Sequence, residues 1–315
     1  MSKVVYITGC LGFIGYHVAK ACLERGWWVR GIDSGTYAAN FELLSDLTAY
    51  EKFYFNQCDI NHITHLYDCD YIINTAAESH VDNSIVSSDI FLQSNINGVH
   101  HLLELIRNKP ESRRPVLLHF STDEVYGDIV QGSHTENDLL KPSNPYSATK
   151  AAADMLILAW ARTYNIPYVI VRPTNNYGIG QYVEKFIPKA CKNLLLGRKI
   201  IMHDNGTPRR TWLHASDTAA AVMKIIDSNV TNETYNISGN HEDMNYNVAC
   251  HLVKFFFNDD RDTIPYFDFS ECRPGQDVRY SIDDSKLKAL GWEPKANFKD
   301  ELKVIVQWYK NNFIW

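Results

Sequence analysis

The chain has no excess of positive charge: its 315 residues carry 31 Lys and Arg against 37 Asp and Glu, a net charge of -6. A balance of that sign supplies no basic field of the kind that holds nucleic acid or an anionic bilayer, so a polyanionic partner would have to be met by a local arginine cluster. C-x-x-C pairs are missing as well. The seven cysteines (Cys10, Cys22, Cys58, Cys69, Cys191, Cys250 and Cys272) are odd in number and scattered, which argues against a disulfide frame and against a zinc site. They read as reduced thiols of a cytoplasmic protein, and no metal is expected. Nor are there long apolar runs. Val4-Val5-Tyr6-Ile7, after Lys3, is too short for the hydrophobic region of a signal peptide or for a membrane-spanning helix, so neither export nor membrane anchoring is expected. Internal repeats, low-complexity tracts and long linkers are also lacking.

What is present is an apolar content of 45%, enough for a sizeable core, in a chain longer than single cores usually grow. One large domain with a smaller lobe is the expectation. Short apolar runs alternate with stretches of helical periodicity. Val4 to Ile7, Trp28 to Ile32, Phe53 to Phe55, Tyr71 to Ile73, Val116 to Phe120 and Tyr168 to Val171 read as buried strands. Phe13 to Arg25, about Ile90 to Asn108, and Pro145 to Tyr164 read as helices, with Gly26 stopping the first. Such alternation predicts an α/β fold, a Rossmann-type doubly wound parallel sheet with ligands at the carboxyl ends of its strands. After Pro173 the alternation fades and turn clusters appear at Asn205-Gly206-Thr207-Pro208 and Arg273-Pro274-Gly275. A smaller mixed α/β substrate lobe is therefore placed over 174–315, beside a cofactor-binding domain over 1–173 to which later segments return.

Thr8-Gly9-Cys10-Leu11-Gly12-Phe13-Ile14-Gly15 follows the first strand and opens the first helix. Gly9, Gly12 and Gly15 let the backbone turn tightly and approach a pyrophosphate, while the helix amino end offers unpaired N–H groups to the anion. The same glycines would also serve tight helix–strand packing. Asp33 ends the second strand, where a carboxylate accepts both ribose hydroxyls and repels a 2′-phosphate, which favours NAD over NADP. Asp59 and Ile60, after the third strand, are expected at the adenine, and Ala76 and Ala77, after the fourth, near the cofactor backbone.

Tyr146 and Lys150 stand four apart, on one face of a helix. An ammonium beside a tyrosine, together with the nicotinamide ring, favours the phenolate, which can then take a proton from a sugar hydroxyl. Y-x-x-x-K alone is also a common chance pattern on a surface helix. Thr122, ending the fifth strand, is expected as a hydrogen-bonding hydroxyl beside Tyr146. Asp123 and Glu124 follow it directly, two carboxyls that different surroundings could hold as acid and base, although a strand end often carries a solvated Asp-Glu.

Ser121 to Gly127 (STDEVYG), Ala76 to Ser84 (AAESHVDNS), Pro145 to Lys150 (PYSATK), Asn175 to Gly178 (NNYG) and Arg273 to Asp277 (RPGQD) resemble the motifs of the dTDP-glucose 4,6-dehydratase family, extended short-chain dehydrogenase/reductases. The resemblance runs from Lys3 to about Pro294. It implies a closed redox cycle on a sugar nucleotide, dTDP-glucose or UDP-glucose. Tyr146 deprotonates the 4-hydroxyl while NAD takes hydride from carbon 4; Glu124 removes the carbon 5 proton; Asp123 protonates the departing 6-hydroxyl; and hydride returns to carbon 6. It further implies that the loop from Thr36 covers the cofactor and that Glu78, Ser79 and His80 orient the sugar. Asn176, Glu184, Lys185, Arg210, Asn245, Arg273 and Tyr280 would contact the nucleotide and diphosphate, and a homodimer would form through helices containing Asn95 to Leu105 and Tyr146 to Tyr164. Three positions depart from the family's pattern: Thr211 where an acid is usual, Val278 for a basic residue, and Cys10 for a glycine. The competing expectations are a sugar-nucleotide 4-epimerase and a catalytically silent NAD-binding protein.

Overall fold

The computed structural model describes residues 2–312. Seven parallel strands form the main sheet in the order β10-β6-β5-β4-β1-β2-β3: β1 Val4–Thr8, β2 Trp28–Asp33, β3 Phe53–Gln57, β4 Tyr71–Asn74, β5 Val116–Phe120, β6 Tyr168–Pro173 and β10 Glu233–Ile237. The order reverses between β1 and β4, where Thr8 pairs with Asn74, so a crevice opens beyond these two ends. The central strands β1, β4, β5 and β6 are almost wholly buried because helices cover both faces, and are apolar except near their carboxyl ends, where Thr8, Asn74, His119 and Arg172 stand. One face packs Val18, Cys22, Val29, Ile73, Leu118, Val222 and Ile226; the other packs Ile72, Leu102, Ile106, Leu117, Ile157 and Ile170. The doubly wound sheet expected from the alternation is present, with helices at Phe13–Glu24, Asp89–Arg107 and Pro145–Tyr164.

Helix Pro145–Tyr164 begins where it does for local reasons. The Asn144 side chain accepts from Ser147 N at 2.9 Å, Ser147 Oγ accepts from Asn144 N at 3.2 Å, and Pro145 occupies the first turn, where no N–H is missed. Helix Asp89–Arg107 is not regular: Leu92–Asn97 is wound as a π turn. That widened turn directs the fully buried Asn95 side chain to the loop after β4, accepting from Glu78 N and donating to Glu78 O, both at 2.9 Å, and to Thr149 Oγ1 at 3.0 Å. Two helices and a loop are thereby pinned together beside the crevice.

The second sheet is small and mixed: β7 Asn175–Tyr177 runs parallel to β9 Arg209–His214, which pairs antiparallel with β11 His241–Met244. β8 Ile200–Ile201 and β12 Phe267–Asp268 form a two-stranded parallel pair. Helices Phe186–Leu195, Asn245–Phe257 and Phe298–Asn312 pack on these strands around Tyr177, Trp212, Leu252, Phe298 and Tyr309. Among the described residues no helix is long and apolar enough to cross a membrane.

Candidate active site

The glycine turn sits at the mouth of the crevice. Gly9 has a φ of +73, and a Cβ there would lie 2.7 Å from Ala76 N. At Gly15 a Cβ would meet Gly9 O at 2.0 Å, so the first helix turn and the turn before it touch through bare backbone. Asp33 ties this turn down: one carboxylate oxygen accepts from Leu11 N at 3.0 Å and the other from Gly35 N at 2.9 Å. Burial raises its pKa while these two N–H groups oppose the rise. Cys10 is fully buried beneath the turn, packed on β2 at Gly31.

A cavity of about 250 Å³ lies along this turn and the ends of β4 and β5. Gly9, Gly12, Phe13, Ile14, Gly15, Ala77, Ser79, Thr122, Asp123, Glu124, Tyr146, Lys150, Asn176, Glu184 and Lys185 line it. The structure thus gathers the predicted glycine, Thr-Asp-Glu and Tyr/Lys sets in one place. Asp33, Asp59, Ile60 and Ala76 lie outside the lining, and Thr36 is exposed on the loop whose Ala38 belongs to it. Asp59 caps a short 3-10 turn, accepting from Asn61 N at 2.8 Å, and Ile60 packs against Gly98. Glu78 is held through its backbone by Asn95, and its carboxylate lies 3.3 Å from the Tyr37 hydroxyl.

The reactive groups occupy different electrostatic surroundings. Tyr146 and Lys150 are both buried. Burial, then Glu124, raise the Tyr146 pKa above its ordinary value, and Asp123 adds to the rise; a hydrogen bond with Thr122 works the other way. Lys150 is lowered to about 8 by burial, with Asp154 one turn on opposing the shift. The protein's own groups thus favour the neutral tyrosine, whereas the sequence pointed to a phenolate beside an ammonium. The carboxylates at the end of β5 are what the spacing of Tyr146 and Lys150 does not reveal.

Asp123 is only 3% exposed. Burial and the adjacent Glu124 push its pKa up to about 7, against a hydrogen bond from Thr122 Oγ1 at 3.2 Å. Its Oδ2 has no partner among the described residues. Glu124 is partly buried and accepts at Oε2 from Asn144 Nδ2 at 3.2 Å, with the Tyr280 hydroxyl 3.3 Å from the same oxygen. One carboxyl is therefore dry and short of partners, and its neighbour is partly exposed and accepts from Asn144, the Tyr280 proton going to the nearer Asp277, which is the environment pair that separates an acid from a base.

Behind this pair, Asp154 and Arg172 form a buried ion pair at 3.0 Å. Ser121 Oγ donates to Asp154 at 3.0 Å, and Arg172 Nη1 donates to the Tyr126 hydroxyl at 2.7 Å. Residues on either side of Thr122-Asp123-Glu124 are thus fixed to helix Pro145–Tyr164 and to β6.

A second cavity, of about 170 Å³, opens from Glu124 toward the smaller lobe. Ser79, His80, Glu184, Lys185, Arg210, Asn245, Arg273 and Tyr280 line it, so most of the predicted substrate residues meet there. Ser79, Glu124, Asn175, Glu184 and Lys185 border both cavities, placing Glu124 at their junction. The Arg210 guanidinium lies over the Tyr280 ring at 4.4 Å and donates to Asp277 O at 3.1 Å; Arg273 pairs with Asp82 at 2.6 Å. Lys185 Nζ donates to Ser79 O at 2.7 Å. The sequence did not single out Asn144, Phe186, His203 or Trp212, which also line this cavity, and it marked Gln276 and Asp277 only as part of the Arg273 to Asp277 motif. Asn144 could have been found, because it directly precedes the Pro145 to Lys150 motif. Thr211 is buried in β9, whereas Val278 is exposed.

A doubly wound sheet with a glycine turn at its switch point and a buried Tyr/Lys pair at its carboxyl edge is the architecture of the extended short-chain dehydrogenase/reductases. A family model described as GDP-mannose 4,6 dehydratase matches residues 6–305. The chain is 37% identical over 331 residues to a dTDP-glucose 4,6-dehydratase of Haemophilus influenzae, covering 98% of each chain. It is also 37% identical over 325 residues to a trifunctional protein of Arabidopsis thaliana named for UDP-glucose 4,6-dehydratase activity, spanning 99% of this chain and 48% of that one. The crystal structure of a dTDP-glucose 4,6-dehydratase from Streptomyces venezuelae, solved with NAD bound, superposes with a TM-score of 0.92 at 33% identity, covering 98% of this chain and 97% of that one. The chain belongs to the sugar-nucleotide 4,6-dehydratase family.

Proposed function

We propose that the protein is an NAD-dependent 4,6-dehydratase of a nucleoside-diphosphate glucose, forming the 4-keto-6-deoxy sugar. The observation that carries this reading is the contrast between Asp123, buried with a pKa pushed up to about 7, and Glu124, partly exposed and held by Asn144 at the junction of the two cavities. Elimination of water needs an acid and a base at adjacent carbons, whereas an epimerisation at carbon 4 alone has no use for the pair.

The residues fit the cofactor: Gly9 and Gly15 press the turn against Ala76 and against its own backbone with no side chain between, and Gly9, Gly12 and Gly15 border the cavity where the turn opens a helix amino end. Gly9, Gly12, Phe13, Ile14, Gly15, Ala77, Tyr146 and Lys150 would hold it, and Asp33 both fastens the turn and stands where a ribose is recognised. Bound NAD supplies reversible hydride acceptance, from carbon 4 and back to carbon 6. Tyr146, as the phenolate that the positive ring of bound NAD would favour against the raising effect of burial and Glu124, takes the proton of the 4-hydroxyl, with Thr122 as its hydrogen-bond partner. The carbonyl formed at carbon 4 acidifies the carbon 5 proton, which Glu124 removes. Asp123 gives its proton to the departing 6-hydroxyl. Arg210, Arg273 and Lys185 are suited to the diphosphate, arginine forks matching its oxygens.

The Haemophilus relative is named for dTDP-glucose and the Arabidopsis relative for UDP-glucose, so both sugar nucleotides are candidates. Incubation with NAD and each sugar nucleotide, with identification of the product, tests the reading. A 4-keto-6-deoxy sugar is expected, with turnover ranking the bases; an epimer that retains its 6-hydroxyl would overturn it. Helices Asp89–Arg107 and Pro145–Tyr164 leave Ile90, Leu92 and Met155 exposed, which supports a homodimer built on them in a cytoplasmic enzyme. Sedimentation as a monomer would defeat that assembly.

A further inference from the structure

Asn144 stands where two parts of the site meet. It is buried, it directly precedes the helix that carries Tyr146, and its side chain reaches in two directions. Oδ1 accepts from Ser147 N at 2.9 Å, closing the first turn of helix Pro145–Tyr164, and Nδ2 donates to Glu124 Oε2 at 3.2 Å. The backbone decides which end of the amide faces which partner. Ser147 N–H can only donate, so the amide oxygen belongs to the helix and the amide nitrogen must face the carboxylate. The return half of the capping box, Asn144 N to Ser147 Oγ at 3.2 Å, and a bond from Tyr146 N to Ser84 Oγ at 3.2 Å hold the same turn.

We propose that Asn144 is the positioning residue for the base, a role that rests on the reading of Glu124 as the group that removes the carbon 5 proton. One amide fastens Glu124 to the helix start that carries Tyr146, so the two groups that take protons at adjacent sugar carbons keep one fixed separation. Glu124 sits on the short turn Asp123–Tyr126 after β5, partly exposed at the junction of the two cavities. Its other neighbours do not supply this hold. The Tyr280 hydroxyl gives its proton to the nearer Asp277, and Lys185 acts on Glu124 as a charge while its donors go to Ser79.

An N–H directed at Oε2 keeps that oxygen an acceptor. The carbon 5 proton is left to Oε1, which makes no hydrogen bond among the described residues. The C–H bond breaks, an O–H bond forms on Oε1, and the electron pair passes toward the carbonyl at carbon 4. Misplacing the base by about 1 Å slows such a transfer far more than it weakens substrate binding.

Serine and aspartate cap helices about as well as asparagine, so Asn144→Ser and Asn144→Asp keep the helix start and remove the donor to Glu124. Asn144→Asp keeps the shape but turns a second carboxylate oxygen toward Oε2; in Asn144→Ser the shorter hydroxyl stays with Ser147 N. Both are assayed as NAD-saturated full-length protein on dTDP-glucose and UDP-glucose carrying deuterium at carbon 4 or at carbon 5. We expect kcat to fall by about tenfold to a hundredfold while KM stays near that of the unmodified protein. The isotope effect on kcat from carbon 5 should rise, because proton removal there has become slow, and that from carbon 4 should not. An unchanged kcat overturns the proposal, as does a fall without the rise at carbon 5. A rise at carbon 4 instead would mean that Asn144 acts only as a helix cap, through Tyr146. The isotope effect is a ratio and does not depend on the fraction of folded protein, so it decides even where a variant is less stable. Unmodified protein that forms no 4-keto-6-deoxy sugar refutes the proposed function and this role with it; product formed by both variants at the parent rate refutes the role alone.

Discussion

Replacing Asp123 by Asn keeps the shape of the side chain but removes its ionisation, and burial of the site sets the sign of the effect on stability. In the folded protein Asp123 is raised from 3.8 to about 7, mainly by burial and next by Glu124. The folded state therefore holds a proton that the unfolded state has released, and stability falls as pH rises through the window from 3.8 to about 7. At about 1.4 kcal/mol per pKa unit, the whole shift amounts to about 4 kcal/mol, lost in full above about pH 7. Asp123→Asn carries no such penalty. Relative to the unmodified protein it should be of nearly equal stability at about pH 4, gain steadily through the window, and be more stable by up to about 4 kcal/mol above about pH 7. Turnover should move the opposite way, falling by roughly a hundredfold to ten-thousandfold as the acid for the 6-hydroxyl is lost. Urea unfolding at a series of pH values, beside product formation, reads both. A variant no more stable than its parent in alkaline buffer would refute the placement of Asp123 as a buried neutral acid.

Single contacts carry the other expectations. Glu124→Gln should retain NAD yet abolish exchange of the carbon 5 proton with solvent, monitored by mass spectrometry in heavy water; unchanged exchange would remove Glu124 from the mechanism. At Gly15 a methyl group would meet Gly9 O at 2.0 Å, so Gly15→Ala should weaken NAD binding by about tenfold or more in a fluorescence titration. Arg172→Met leaves Asp154 buried without its guanidinium partner, with only Ser121 and the Lys150 charge to offset it, costing up to about 3–5 kcal/mol in urea unfolding, and adding Asp154→Leu should recover most of that loss. A double variant as unstable as the single one would show that packing around Arg172, rather than the ion pair, carries the effect.

Elements with strong local causes were legible in the chain. The central strands are covered on both faces, so their apolar runs are nearly continuous and marked β1, β4, β5 and β6 within a residue or two of their ends. Helix Pro145–Tyr164 has its own start signal in Asn144 and Pro145. β10 was not read as a strand: Glu233-Thr234-Tyr235-Asn236-Ile237 alternates polar and apolar residues at the sheet edge, and its buried Asn236 accepts from the Tyr126 hydroxyl at 2.8 Å. The π turn at Leu92–Asn97 was silent as well, because one widened turn scarcely disturbs an apolar period, although it is what brings Asn95 to Glu78 and Thr149. At Asp33 the carboxylate that the spacing assigns to a ribose is also engaged with its own turn, through Leu11 and Gly35.

By itself the sequence determined which chemical groups the protein owns and the order in which they are strung: a glycine turn after a strand, Thr122-Asp123-Glu124 after another, Tyr146 and Lys150 on one helix face. Spacing along a strand or helix is local geometry and can be read from one dimension. Only the tertiary structure decided how those groups behave. Arg210 and Arg273 converge on one cavity from distant segments, Tyr280 reaches back to Glu124, and the register of β1, β4 and β5 puts Thr8, Asn74 and His119 in line behind Lys150. Protonation is set by burial and by neighbours across strands, contacts separated by tens of residues. Asp123 and Glu124, adjacent in the chain, become unlike only in the folded protein.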